Sequence, residues 1–198
     1  MSTLGADHWT PILSRLNSLA LKSNSLKEHL TPEVLSTCWC GLPPAPENEI
    51  LETERRLGIR LPPSYRSFLS VSNGWRPFDS LIERLLPVQQ IDRLRFADPE
   101  ATKAIQEYYQ EDELSDEDYL DYADDNHMVA LRHRFYPESV LVGKGWPCES
   151  ELILLNPRIV FPDGEWEAIF FADWLPGNER YRSFRVLVEA YVNNLERA

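Results

Sequence analysis

The chain has 198 residues, 43% apolar and 11% aromatic, and its 32 Asp and Glu against 20 Lys and Arg give a formal net charge of −12. That length fits one domain with an appendage, and such an apolar content can close a core without a disulfide or metal staple, which argues against global disorder. The charge speaks against gripping a nucleic-acid backbone or an anionic membrane, since both need net Lys and Arg on the contact face, and it leaves room for a basic protein partner.

Residues 8–30 read as a helical extension, with Trp9, Ile12, Leu13, Leu16 and Leu19 at helical spacing. Residues 31–46 hold Pro32, Pro43, Pro44, Pro46 and Gly41, a density that predicts a linker or extended tie. The division is therefore 1–46 as extension and linker and 47–198 as the main domain. Glu47, Glu49 and Glu52 near the start of the next helix, and Arg55 and Arg56 near its end, suit the helix dipole, and Gly58 stands where a left-handed terminating residue belongs. A second helix is predicted from Pro62-Pro63, with Tyr65, Phe68 and Leu69 as its stripe and Asn73-Gly74 as its end. Residues 90–97 and 99–110 also read as helical.

The pattern then changes to short apolar runs of strand length: Leu85–Val88, Met128–Leu131, Ser139–Gly143, Glu151–Leu155, Ile159–Phe161 and Trp166–Phe171. Pro162-Asp163-Gly164-Glu165 between the last two predicts a hairpin. Phe184, Leu187, Val188, Tyr191 and Leu195 predict a closing amphipathic helix. The expected class is α+β, an antiparallel or mixed sheet flanked by helices. The N-terminal stretch has no basic region followed by a long apolar run, and no window is long and apolar enough for a membrane helix. With three cysteines, Cys38, Cys40 and Cys148, the expectation is a reducing, cytoplasmic setting with free thiols.

The charge is local. Residues 107–125 hold ten acids and no Lys or Arg, so they carry −10 and the rest of the chain is close to neutral. Four tyrosines, Tyr108, Tyr109, Tyr119 and Tyr122, lie in the same stretch.

Residues 47–75, ENEILETERRLGIRLPPSYRSFLSVSNGW, resemble the opening signature of the SUKH superfamily, in the branch named after yeast cell-wall-assembly regulators (the Smi/Knr group). The shared pattern is an acidic helix, then Leu57-Gly58, Leu61-Pro62, Tyr65, Phe68-Leu69 and Asn73-Gly74. LLPVQQI at 85–91 resembles the strand entering the family's sheet, and FFADW at 170–174 with the helix after Ser183 resembles its close. The resemblance spans 47–192 and leaves out the N-terminal extension and the acidic insertion. It implies a non-catalytic binding fold. Many bacterial members of the superfamily are immunity proteins that neutralise toxins, nucleases among them, while fungal members are signalling and cell-wall scaffolds.

No catalytic or metal constellation competes with that reading. Cys38-Trp39-Cys40 is one residue short of zinc-knuckle spacing and has no second cysteine pair, and His29, His127 and His133 complete a site only if the fold gathers them. Cys148 has no adjacent base, Gly143-Lys144-Gly145-Trp146 lacks the phosphate-loop spacing, and Asp163, Glu165 and Glu167 read as ordinary turn and strand-edge acids. The acidic run fails the calcium-loop test, because the sixth residue counted from Asp112, Asp116 or Asp118 is never glycine. No cofactor is expected.

The acidic run is the candidate partner-binding surface: Tyr108, Tyr109, Glu111, Asp112, Glu113, Asp116, Glu117, Asp118, Tyr119, Asp121, Tyr122, Asp124 and Asp125. Tyrosines supply contact area at low entropy cost, and carboxylates meet Arg and Lys on a partner. Leu114, Leu120 and the tyrosines are expected to fold part of it into short helix with the acids outward. The expected partner is a cognate toxin with a basic surface, blocked by occlusion without turnover. The alternative is a regulatory or scaffold module with no toxin.

Overall fold

A computed structural model describes residues 8–108, 115–120, 122, 132–147, 150–175 and 178–196. Helix α3 (Glu47–Leu57) forms where acids and bases suit its dipole, with Pro46 at the N-cap and Gly58 left-handed at the C-cap, φ 66°. Helix α4 (Pro63–Leu69) starts with Pro63 as its first residue, where the missing N–H costs nothing. It ends at Leu69, ahead of the predicted Asn73-Gly74 stop. Those two residues serve the following strand instead. The Asn73 side chain accepts from Val88 N at 2.7 Å, and Gly74, φ 109°, lies so close to Leu85 that a Cβ would stand 2.8 Å from its carbonyl oxygen.

Strands β1 (Ile82–Leu85), β2 (Asp92–Arg93), β3 (Val140–Gly145), β4 (Leu152–Val160), β5 (Trp166–Phe171) and β6 (Glu179–Tyr181) make an antiparallel sheet in the order β1-β3-β4-β5-β6, with β2 also on β3. The α+β class is as predicted. Two predicted runs, 151–155 and 159–161, are one strand. Pro157 does not break it, because β4 has by then outrun its β3 partner, whose register ends at Val140↔Leu155. On the other side the pairing with β5 jumps from Asn156↔Glu167 to Val160↔Trp166. The strand predicted at 85–88 lies earlier, ending before Pro87, which has no N–H for a ladder. Residues 90–97 divide into β2 and a single helical turn, α5 (Leu94–Ala97), before α6 (Pro99–Tyr108). The run 128–131 lies outside the described residues.

One face of the sheet carries α8 (Phe184–Leu195), whose Tyr191 meets Phe170 of β5 at 5.9 Å between ring centroids. Helix α1 (Trp9–Lys22) packs on α8 and α4: Trp9 lies 5.4 Å from Phe68 and 5.8 Å from Phe184, and its indole N–H donates to Ser67 Oγ at 2.8 Å. The N-terminal helix thus shares the core of the main domain. Between them, the proline-rich stretch contains α2 (Pro32–Thr37), because Thr31 caps it and Pro32 starts it, two helix signals that the proline count masks. Residues 40–45 then run as a tie, with Arg76 N donating to Cys40 O at 3.0 Å and Ala45 N to Leu69 O at 2.8 Å.

The opposite sheet face is covered by α5, α6, the 3-10 turn His133–Glu138 and α7 (Asp116–Tyr119). Among the described residues, no helix is long and apolar enough to cross a membrane.

Candidate functional site

Within the acidic run, Ser115 caps α7: its Oγ accepts from Asp118 N at 3.1 Å. The turn places Asp116, Glu117 and Asp118 in solvent and drives Tyr119 inward. The outward acids on a short helix match the arrangement expected of this segment. Of the other predicted site residues, Tyr109, Glu111, Asp112, Glu113, Asp121, Asp124 and Asp125, together with the side chain of Tyr108, lie outside the described residues.

Tyr119 and Tyr122 hold the segment to the sheet. The Tyr119 ring lies between two guanidiniums, Arg180 at 3.6 Å and Arg132 at 4.3 Å from its centroid. Arg132 also pairs with Asp116 at 2.6 Å. Beneath the rings sits Glu167 of β5, fully buried. It accepts from Tyr119 OH at 3.1 Å, Tyr122 OH at 2.7 Å, Asn156 Nδ2 at 2.8 Å and Arg180 Nε at 2.8 Å. Arg180 Nη2 donates to the Tyr119 carbonyl, closing the α7 end. Burial and then the Glu167 charge push both phenols well above their ordinary pKa, so they remain donors at any physiological pH. Burial opposes the Arg180 cation, but Glu167 and the two phenols outweigh it and raise its pKa.

Tyr119 is therefore an anchor, only 1% exposed, and not a surface contact. Glu165 and Glu167 are not the turn and strand-edge acids expected from their spacing. Glu165 is buried and accepts from Ser64 N at 2.8 Å and Ser64 Oγ at 2.6 Å, capping α4 across 101 residues of sequence. The signal for Glu167 was a carboxylate inside the apolar run Trp166–Phe171. A charge in a buried strand needs a partner, here Arg180 on the neighbouring strand.

The remaining chemical candidates disperse. Cys38 is exposed, and Cys40 is buried, with its thiol pushed up to about 11 by burial, which leaves it a poor nucleophile at neutral pH. His29 lies tilted against Trp146 with ring centroids 3.9 Å apart, and His133 packs edge-on to Tyr136 at 5.1 Å. His127 and Cys148 lie outside the described residues. Among the described residues, no group of three or more His, Cys, Asp or Glu is placed to hold a metal. Trp75 and Phe78 are core residues, whereas Trp174 is half exposed, with its N–H donating to Glu151 at 2.6 Å.

One carboxylate is unusually placed for its charge. Asp79 is buried, and burial raises its pKa to about 6 despite backbone hydrogen bonds from Leu81 and Ile82, with Glu151 and Glu179 adding to the rise. Its pKa is higher folded than unfolded, so its contribution to stability is complete below about pH 4 and is lost as pH rises through about 6, a change of about 3 kcal/mol. Asp79→Asn, whose Oδ1 can keep both backbone bonds, is expected to unfold at a higher temperature than the native protein at about pH 7.5 and to lose this pH dependence. Thermal unfolding at several pH values checks it, and a less stable variant at pH 7.5 contradicts it.

A comparison with curated proteins finds no match. The model of the SMI1 / KNR4 family (SUKH-1) matches residues 44–189, which take in the α3–α4 signature, the whole sheet and the acidic segment anchored on it, and the chain belongs to that family.

Proposed function

We propose that this protein is an immunity protein that binds a cognate intracellular toxin in the cytoplasm and blocks it by occlusion, one molecule to one, without catalysis. The family supports an immunity or regulatory binding role. The observation that carries the choice is the acidic segment. Ten carboxylates without a single Lys or Arg fall in 19 residues, and α7 within it is pinned by Tyr119, Tyr122, Glu167 and Arg180. A solvating tract needs no such anchor. An acidic segment held in place at α7 suits a basic groove such as that of an enzyme acting on a polyanion, where it stands in for the substrate's charge.

The protein co-expressed with the product of the neighbouring gene is expected to co-purify with it and to relieve its toxicity. Changing Glu111, Asp112, Glu113, Asp116, Glu117 and Asp118 to Ser or Asn is expected to weaken the complex at least about tenfold and to flatten its salt dependence. A complex unaffected by that change removes charge mimicry as the mechanism. A protein that protects against no neighbouring product, yet captures a stable partner, fits the regulatory scaffold instead.

A further inference from the structure

Beside α7 the surface opens into a groove of about 700 Å³ lined by Leu120, Tyr122, Val160, Phe161, Arg158 and Arg182 among others. Val160 is 56% exposed and Leu120 45%, so two aliphatic side chains stand in solvent around one concavity. The aromatic part is held firmly. The Phe161 ring meets Tyr122 edge-on at 5.5 Å, the Arg182 guanidinium lies 4.5 Å from its centroid, and Tyr122 is tied to Glu167.

The charge of this groove is opposite to that of the chain. Arg56, Arg66, Arg76, Arg93, Arg180 and Arg185 each pair with a carboxylate. Arg158 and Arg182, both exposed, have no carboxylate partner among the described residues, and none of the described residues that line the groove is an acid. In a protein with twelve more acids than bases, two unpaired arginines flanking exposed aliphatic side chains form a local complement to an anionic, apolar ligand. The open shape suits a length of polypeptide better than a small molecule, which needs enclosure on most sides.

We infer that this groove receives an acidic, apolar segment of a partner protein, with a Leu- or Phe-like side chain against Leu120, Val160 and Phe161 and flanking carboxylates on Arg158 and Arg182. The assignment does not depend on the acidic segment's role. It gives the surface two halves of opposite sign, one for a partner's basic groups and one for its acidic groups, and such a pattern selects a partner more narrowly than either half.

The test uses fluorescein-labelled peptides in a common Gly/Ser frame, carrying Asp-Leu-Phe-Asp, Lys-Leu-Phe-Lys or Asp-Ala-Ala-Asp, and fluorescence anisotropy with the full chain. The first is expected to bind saturably, and the other two at least about tenfold more weakly. Arg158→Glu with Arg182→Glu is expected to abolish that preference. Arg158→Lys with Arg182→Lys, keeping the charge without the fork, is expected to retain it in part, which separates lost charge from a lost fold. The variant neutralised at residues 111–113 and 116–118 is expected to bind the acidic peptide as the native protein does, so failure of the toxin reading and failure of this one are distinguishable. Equal binding of the three peptides, or an affinity unchanged by the Glu pair, overturns the inference. So does a dimer of the native chain that the Glu pair dissolves, since that gives the groove to a second copy.

Discussion

Arg180→Met is expected to cost about 3–5 kcal/mol of stability, the range for removing one member of a buried ion pair and leaving the other uncompensated. Arg180 and Glu167 are 1% and 0% exposed, and nothing else described brings a full positive charge to Glu167. Two phenols and the Asn156 amide still donate to the carboxylate after the change. They soften the loss without replacing the cation. For a chain of this size the midpoint of thermal unfolding is expected to fall by roughly 10 °C. Adding Glu167→Gln to Arg180→Met removes the stranded charge and is expected to recover part of the loss, a coupling that a double-mutant cycle in urea measures. Because Arg180 also holds the Tyr119 carbonyl, the single change is expected to loosen α7 as well, read as faster amide exchange at residues 116–119. A midpoint within about 2 °C of the native protein contradicts the account of this cluster as the anchor of the acidic face.

The second large effect is expected at the other end of the chain. Trp9→Ala should cost about 3–5 kcal/mol, the usual range for removing a buried Trp or Phe side chain. Trp9 is 2% exposed, packs on Phe68 and Phe184, and its N–H satisfies Ser67 Oγ. Residue 9 lies before the family-matched 44–189, so this protein completes the shared fold with a helix from outside it. Chemical denaturation of the full chain checks the value. A cost under about 1 kcal/mol would mean that α1 is a detachable appendage.

Much of the fold was legible because its causes are local. Helix α3 was readable from its charges and Gly58, α4 from Pro62-Pro63, and α8 from the spacing of Phe184, Leu187, Val188 and Tyr191, and each forms close to where predicted. β5 runs over the very residues of its apolar stretch, and the turn at 162–165 joins it to β4. β6 was missed because Glu179-Arg180-Tyr181 has no apolar alternation. It is a strand only because β5 offers it a partner. The candidate site was legible by composition, since ten acids in 19 residues need no structure to be seen. The division of labour among its residues was not. Charge and aromatic content mark a segment, but they do not say which rings turn inward.

The helices α1, α3, α4 and α8, most of the strands and the acidic run came out of the order of residues, because caps, dipoles and periodicity act over a few residues and depend little on the rest of the chain. The long-range choices came from packing. Glu165 caps α4 across 101 residues, Tyr119 meets Glu167 across 48, and Arg180 reaches the Tyr119 carbonyl across 61. Sheet register sets the centre of that cluster: Asn156 stands opposite Glu167, and Arg180 stands opposite Ile169, two residues along β5 from Glu167. A polar side chain inside an apolar strand announces that a partner is needed, and only the folded chain names it, since burial makes the unpaired alternative too costly to persist.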